Sequence, residues 1–498
     1  MTEILLAVGQ GFLILFMPEN FLFMLIGIVL GMFFGIIPGL GGLIGMGLLL
    51  PFAFGMEAQP AFAFLLGMFA VTTQTDTIPA VLIGVPGTSQ AQATYLDGYP
   101  MAKNGEAGRA LSASYFASIF GTIVSLIIFI FLLPVVKVTI DQFGSPEFFM
   151  LSVWGLVMAG SLAGTSVFRG LAVIGLGLTV SAIGFSPNAE LPRYVFDIDY
   201  LESGLPIIPI VLGLFAIPEV IDLMITRRSI AEGTEPRGGM VEGLTDNFRE
   251  WLLVLKTSTV GAICGMIPGL GGTVAEWLGY GIAVNSSKDS SRFGKGDVRG
   301  VIAPEAATAG QKPGGLLPTV AFGIPGNGGM AILLGAFLVV GLNPGKAMLE
   351  EQLPLTFMMV WTVVIANIIA AILALGLQGF LVKICYVRAT ILGPIVLSFM
   401  AVGAVLATRE FEDLVVFGVF GVIGYVFKHT DWPRVPLLIG IILGKLAEPT
   451  LLITVKRYGF DWLWDRPIVV ALEALIILPF LYRAYKNHKN RPKPGFEK

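Results

Sequence analysis

Two stretches decide how this chain folds: GIIPGLGG at residues 35–42 and GMIPGLGG at residues 265–272. Both lie in apolar sequence that would otherwise suit one continuous membrane-spanning helix. Each contains a proline and several glycines, the residues least suited to a helix interior. Backbone that leaves the helix inside a membrane is tolerated only where it is buried in protein or lines a cavity. The repeated break therefore predicts an equivalent structural role for the two stretches.

The composition indicates that the bilayer is the solvent of this chain. Of its 498 residues 55% are hydrophobic and only 13% are charged, with a mean hydropathy of +0.83, whereas soluble domains carry about 25% charged residues. Apolar runs at 110–134 and 356–382 exceed the roughly 20 residues that a spanning helix needs. We therefore predict an all-α polytopic membrane protein.

Several classes of function are disfavoured at this stage. The net charge of −3 argues against a nucleic-acid partner. Two cysteines in apolar segments and two histidines form no disulfide framework, zinc motif or nucleophile motif. We expect no catalytic residue, no cofactor and no firm metal site, apart from a possible Na⁺ site.

The apolar sequence divides into clean spans and interrupted ones. Clean spans are predicted at 110–134, 146–165, 168–187, 204–225, 355–382, 389–407, 413–428, 435–454 and 467–484. Segments interrupted by glycine and proline are 20–54, 62–96, 250–284 and 301–341. The segment 62–96 fits either one broken crossing or a hairpin followed by a crossing.

A second pair of matching breaks follows the first in each half. Pro38 corresponds to Pro268 (268 − 38 = 230). IPAVLIGVPG at 78–87 corresponds to LPTVAFGIPG at 317–326, which aligns Pro86 with Pro325 (325 − 86 = 239). Two matches in the same order predict an internal repeat.

Basic residues flank the breaks in opposite ways in the two halves. In the first half they follow the second break, as Lys103 and Arg109; in the second half they lie between the breaks, in 285–300. Because basic residues favour the cytoplasmic side, this exchange predicts two repeats of inverted topology. Inverted repeats with paired helix breaks are typical of transporters. The alternative is a duplicated structural bundle whose glycines and prolines only pack helices.

The same charge bias predicts the domain organisation and orientation. We expect an N-terminal helix or lead-in at 1–19, membrane repeat 1 at 20–225, a cytoplasmic linker at 226–249, membrane repeat 2 at 250–484 and a basic cytoplasmic tail at 485–498. The C-terminus is thus predicted to be cytoplasmic.

The breaks and the polar residues around them form the candidate site. Unwound helix ends offer free N–H groups to an anion and free carbonyls to a cation. The predicted substrate-binding residues are Thr73, Gln74, Asp76, Thr77, Pro86, Gly87, Thr88, Ser89, Thr308, Gln311, Lys312, Pro325, Gly326 and Asn327. The predicted backbone or cation site comprises Pro38, Gly39, Gly41, Gly42, Pro268, Gly269, Gly271 and Gly272. Asp76 and Lys312 stand out because ionisable groups inside a membrane are costly.

Three longer motifs resemble the large membrane subunit of tripartite tricarboxylate transporters. They are GMFFGIIPGLGGLIGMGLLLPF at 31–52, VPGTSQAQATYLDGYPMAKNGEAGRAL at 85–111 and GVIAPEAATAGQKPGGLLPTVAFGIPG at 300–326. The resemblance implies a bacterial inner-membrane protein that takes up carboxylates with a small membrane subunit and a periplasmic solute-binding protein. It also implies secondary, cation-driven uptake coupled to Na⁺ or H⁺, and, with the inverted repeat, an elevator-type mechanism in contact with membrane lipid. A homo-oligomer is possible.

This chain departs from the family pattern at the candidate site. Gln74, Thr75 and Asp76 replace a Gly-Gly-Ser-type run, and Gln311 and Lys312 replace small residues; the other departures are Thr308, Ala309 and Thr88–Ser89–Gln90. Two hypotheses follow: a more polar or zwitterionic carboxylate as substrate, or a fixed charge in place of a bound cation. A passive channel and an intramembrane enzyme are the rival functions.

Overall fold

The computed structural model describes residues 2–37, 40–162, 166–186, 191–225, 239–377, 379–381, 389–406 and 408–489. The described helices, numbered in chain order, are α1 Thr2–Leu15, α2 Pro18–Ile36, α3 Gly41–Leu49, α4 Ala58–Thr75, α5 Thr77–Leu82, α6 Gln92–Lys103, α7 Ala107–Ile140, α8 Ser145–Leu162, α9 Val167–Ser181, α10 Asp199–Glu202, α11 Ile207–Val211, α12 Ile217–Ile225, α13 Met240–Arg249, α14 Trp251–Met266, α15 Gly271–Ser286, α16 Arg299–Phe322, α17 Gly328–Val339, α18 Lys346–Leu349, α19 Leu353–Gly376, α20 Ala389–Val405, α21 Glu412–His429, α22 Val435–Tyr458, α23 Trp462–Asp465 and α24 Pro467–Lys489.

The architecture is that of a helical membrane protein with several spans, as the composition predicts. Five described helices are long and apolar enough to cross a bilayer: Pro18–Ile36, Ala58–Leu82, Ala107–Ile140, Leu353–Gly376 and Val435–Tyr458. Many large apolar side chains remain on the surface, among them Leu13, Phe131 and Leu478. Such a surface suits lipid contact rather than water.

Both PGLGG motifs interrupt helices, as predicted. In the first half α2 ends at Ile36 and α3 begins at Gly41; in the second half α14 ends at Met266 and α15 begins at Gly271. Gly41 and Gly271 both adopt left-handed backbone, with φ of +51° and +63°, which a side chain would strain. The equivalent glycines therefore make the same turn. Pro38 and Gly39 lie outside the described residues.

The second pair of breaks is equally well matched. In the first half the chain leaves the helix after Leu82, and in the second half after Phe322. Gly84 and Gly323 follow these ends with φ of +70° and +68°, at the 239-residue offset of the repeat. Segment 62–96 is thus one nearly continuous rod, α4 and α5, followed by a loop and the start of α6.

Glycines bring the paired helices of each half into backbone contact. A Cβ on Gly35 would lie closer than 3.0 Å to the carbonyl oxygen of Thr72, and one on Gly265 would lie as close to that of Gln311. These contacts join α2 to α4 and α14 to α16, and their members are related by the 230 and 239 offsets. The same relation holds for the contacts of Gly31 with Met68 and of Gly261 with Ala307. The two halves therefore repeat one packing arrangement residue by residue.

The long helix of each half also packs against the other half. The first-half helix α7 packs against α16, and the second-half helix α19 packs against α4. The short helix that precedes each half likewise packs against the long helix of the other half: α1 packs against α19, and α13 packs against α7. The duplicated packing thus includes α1, inside the predicted lead-in, and α13, inside the predicted linker.

Two predicted clean spans are less regular in the structure. The segment 204–225 comprises α11, a π-helix at Leu212–Ala216 and α12. The segment 168–187 is helical only to Ser181, after which Gly184–Phe185 pairs antiparallel with Pro192–Arg193. The mean hydropathy of a sequence window does not reveal such local changes, because it contains no information on the pattern of backbone hydrogen bonds.

The glycine contacts predict a large effect of added volume. Replacing Gly261 by Val should destabilise the protein by about 1–3 kcal/mol or more, since the new side chain meets the Ala307 backbone. Replacing Gly281, whose Cβ would have no neighbour within 4 Å, is the matched control. We expect G261V to melt several degrees below the wild type in detergent-purified protein, and the Gly281 variant to melt at the wild-type temperature. Equal melting of the two variants would contradict the packing described here.

Candidate functional site

A single cavity brings the breaks of both halves together. Its volume is about 810 Å³. Its wall includes Gly41 and Gly42 from the first PGLGG motif and Gly269, Gly271 and Gly272 from the second. Segments 85–90 and 327–329, which follow the second pair of breaks, complete this side. Equivalent elements from the two halves of the sequence therefore share one space.

Three helices begin at the cavity wall. Gly41 and Gly271 are the first residues of α3 and α15, and Gly328 is the first residue of α17. The N-terminus of a helix has unpaired backbone N–H groups and a partial positive charge. The wall is therefore suited to an anion, and carboxylates are among the anions that such ends bind.

Thr88 and Asn327 occupy equivalent places on the wall. Thr88 lies against Gly41, and Asn327 lies against Gly271. The Asn327 Oδ1 atom caps α17 by accepting a hydrogen bond from the Met330 N–H at 2.9 Å. Its Nδ2 atom is buried without a partner. An unpaired buried donor is costly; this one lies near Gly315 of α16 and is not exposed to the cavity.

The wall is also where the halves touch through hydroxyl groups. Ser89 and Thr273 are joined by a 3.1 Å hydrogen bond between their hydroxyls. Gln90 lies over Gly272, where a Cβ would clash with its amide group. The segment after the first VPG motif therefore packs on the second PGLGG motif.

The charged residues predicted for the site lie behind the wall. The Lys312 Nζ atom donates a hydrogen bond to the Ala70 carbonyl and lies 5.5 Å from the centre of the Phe69 ring. It also interacts electrostatically with Asp76. The Asp76 carboxylate accepts a hydrogen bond from the Thr88 hydroxyl through Oδ2, while its Oδ1 atom is buried without a partner. Thr88 thus links the buried charges to the cavity.

Glu305 and Glu276 join the same buried layer. Glu305 Oε1 accepts hydrogen bonds from Thr77 at 2.7 Å and from Thr94 at 2.9 Å. Glu276 Oε1 accepts from the Ala93 and Thr94 N–H groups at 2.7 and 3.2 Å, which lie at the first turn of α6. Each carboxylate comes from the second half and finds its partners in the first half.

Asp97 explains part of the LDGYPMAK motif. Its Oδ1 atom accepts hydrogen bonds from the backbone N–H groups of Lys295, Gly296 and Asp297 at 2.9–3.2 Å, and its Oδ2 atom accepts one from Tyr280 at 2.9 Å. These N–H groups belong to the loop that leads into α16. Asp97 therefore fixes the start of that helix and does not line the cavity.

The predicted site residues fall into two groups. Those on the cavity wall are Thr73, Pro86, Gly87, Thr88, Ser89, Asn327, Gly41, Gly42, Gly269, Gly271 and Gly272. Those buried behind it are Gln74, Asp76, Thr77, Thr308, Gln311, Lys312, Pro268, Pro325 and Gly326. Pro38 and Gly39 lie outside the described residues.

Sequence reasoning missed the charged part of the wall. Glu219 and Arg434 also line the cavity. The Arg434 guanidinium donates to Glu219 at 2.9 Å across 215 residues of sequence. The available signal was weak: a glutamate within an apolar span and an arginine in the short loop before another.

The helical fold and the cavity between paired breaks define a polytopic membrane protein with the architecture of a transporter. The model of the tripartite tricarboxylate transporter TctA family matches residues 21–439, and the chain belongs to this family, as the motifs predict.

Two relatives come from Agrobacterium vitis. An uncharacterized 52.8 kDa protein in the TAR-I ttuC' 3' region is 29% identical over 458 residues, which cover 91% of this chain and 90% of the relative. An uncharacterized protein in the TAR-II ttuC' 3' region is 31% identical over 191 residues, which cover 38% of this chain and 79% of the relative. No solved structure matches the chain significantly.

The buried pair predicts a characteristic mutational pattern. Asp76→Asn or Lys312→Met alone removes one of two buried groups that interact electrostatically and should cost about 1–3 kcal/mol of stability. The double variant should recover part of that loss, as measured by thermal melting in detergent. Asp141→Asn and Lys346→Met, which break an exposed pair, should each cost about 0–1 kcal/mol. Additive effects at Asp76 and Lys312 would show that the two side chains do not interact.

Proposed function

We propose that this chain is the large membrane subunit of a secondary uptake system for carboxylates. The observation that carries the proposal is the cavity at which three helices begin, because their N-termini offer backbone N–H groups and a partial positive charge to an anion. Family membership supplies the class of transporter. A small membrane subunit and a periplasmic solute-binding protein are the proposed partners, in a bacterial inner membrane.

Alternating access is the proposed mechanism. The reciprocal packing of α7 on α16 and of α19 on α4 supports two halves related by a pseudo-two-fold axis. Together with the exchanged loop charges, it favours inverted topology, in which the same chain can open towards either side. The broken segments would form the moving unit and the clean spans the scaffold, as in an elevator.

Counterflow in proteoliposomes tests this mechanism. The full-length protein, reconstituted with its small subunit and binding protein, should exchange labelled citrate or succinate against an internal pool of the same acid. A carrier shows counterflow because each molecule moves with a conformational cycle, whereas a passive channel equilibrates without it. Leakage without counterflow would replace the carrier by a channel. Product formation without a gradient would favour an enzyme.

The buried Lys312 bears on the coupling ion. Its ammonium group donates to the Ala70 carbonyl and interacts electrostatically with the Asp76 and Glu305 carboxylates, and such oxygens are the ligands that a hard cation prefers. We propose that this fixed charge takes the place of a bound Na⁺, so that uptake is coupled to H⁺. Because Lys312 and Asp76 lie behind the wall, this role suits them better than direct contact with a zwitterionic substrate.

Ion substitution tests the coupling proposal. Wild-type uptake should persist when Na⁺ is replaced by choline and should be lost when an uncoupler collapses the proton gradient. Lys312→Ala should abolish uptake or make it depend on Na⁺, while Lys256→Ala, at an exposed position on α14, should change neither property. Strict Na⁺ dependence of the wild type would refute the proposal.

A further inference from the structure

The charged side chains in the described lining of the cavity form one ion pair. Among the described residues that line it, Arg434 is the only cation and Glu219 the only anion. Neither residue belongs to a helix break: Glu219 lies in α12, and Arg434 is the residue before α22. The broken segments contribute only neutral groups to the lining. The cavity lining therefore offers an anion both helix N-termini and a guanidinium.

Arg434 is held by few contacts for a partly buried arginine. Its Nη2 atom donates to Glu219 Oε1 at 2.9 Å, and its Nη1 atom donates a long hydrogen bond of 3.4 Å to the Leu214 carbonyl. The guanidinium carbon lies 5.6 Å from the centre of the Phe215 ring. The guanidinium group has five N–H donors in a planar fork, so this arrangement leaves donors for a further acceptor.

The π-helix creates this arrangement. Leu214 and Phe215 both lie within its span, Leu212–Ala216, and α12 continues directly to Glu219. A π-turn offsets the hydrogen-bond register of the helix, and such turns occur frequently at functional sites. Here it directs one carbonyl and one ring towards Arg434, and Phe215 and Glu219 towards the cavity.

Glu219 has a second partner that would remain if Arg434 moved. Lys428 Nζ lies 2.5 Å from Glu219 Oε2 and 2.5 Å from Asp222 Oδ2. His429 is also close to Asp222, at 3.1 Å. Glu219 would therefore keep one cationic partner, shared with Asp222, if the guanidinium turned to another carboxylate. Breaking a pair is most unfavourable when it leaves a buried charge uncompensated, and the shared Lys428 lessens that cost here.

We propose that Arg434 is a specificity-determining residue of this cavity, whose guanidinium binds a second carboxylate of the substrate in place of Glu219. One carboxylate would lie at the helix N-termini of the breaks, and the other would replace Glu219 on the guanidinium fork. Arginine is suited to this task because its planar donors match a carboxylate in two parallel hydrogen bonds. The inference rests on the proposed carboxylate transport and names the residue that distinguishes a second carboxylate from a neutral group.

A pair of closely similar probes tests the inference. Succinate and succinamate differ by the replacement of one carboxylate by an amide, and citrate adds a third carboxylate. Binding to the full-length purified protein is measured by titration calorimetry for the wild type, R434Q, R434K and E219Q. The wild type should bind succinate or citrate on the order of 10- to 100-fold more tightly than succinamate, the effect expected of one charge-assisted interaction.

The variants separate recognition from folding. R434Q should lose this discrimination, R434K should retain a part of it, and E219Q should bind the dicarboxylate more tightly because the competing carboxylate is gone. Arg169→Gln is the matched control, since Arg169 donates to Thr430 and Asp431 in the same loop but does not line the cavity. It should leave all affinities unchanged.

The outcomes distinguish the two levels of the argument. If the wild type binds succinate and succinamate equally, or if R434Q keeps the discrimination, the role of Arg434 is refuted while carboxylate transport stands. If the wild type binds none of the three acids and shows no counterflow with them, the substrate class proposed here is refuted together with the inference. A lower melting temperature of R434Q with unchanged relative affinities would assign Arg434 a structural role only.

Discussion

The structure depends on one constraint: backbone that leaves the helix inside a membrane must find its hydrogen-bond partners within the protein. Gly87 at one break donates to the Asp76 carbonyl at 3.3 Å, and Gly269 at another donates to the Gly326 carbonyl at 3.2 Å. Such contacts require neighbouring backbones to approach closely, and the glycines of α2 and α14 permit this. The cost of each break is thus offset by a close-packed partner helix.

Much of this arrangement could be predicted from the sequence. Proline and glycine in apolar runs located all four breaks, because these residues act through local backbone geometry. The sequence offset between the halves also relates residues of similar conformation in the structure. Gly84 and Gly323, for example, have nearly equal φ values. Local backbone preferences and sequence repeats are properties of the sequence alone, so the features that depend on them can be predicted without knowledge of the fold.

The site could be predicted only in part. The sequence showed that Asp76, Lys312 and Thr88 lie close to a break, but helix rotation decides which of them faces the cavity. Thr88 lines it and the two charged residues lie behind it. Arg434 and Glu219 were missed because a contact across 215 residues leaves no local pattern. The π-helix was missed because its register depends on the neighbouring helix α21, where Gly424 packs against the Leu214 carbonyl.

The polar contacts between the halves have a consequence for biosynthesis. During translation, Glu305 is synthesised more than 200 residues after Thr77 and Thr94, whose hydroxyl groups donate hydrogen bonds to it. At typical synthesis rates that interval lasts roughly 10–40 s. During this time the first half resides in the membrane with hydroxyl and amide groups whose partners do not yet exist. Membrane insertion of this protein therefore requires an environment that keeps those polar groups out of contact with lipid until the second half has been synthesised.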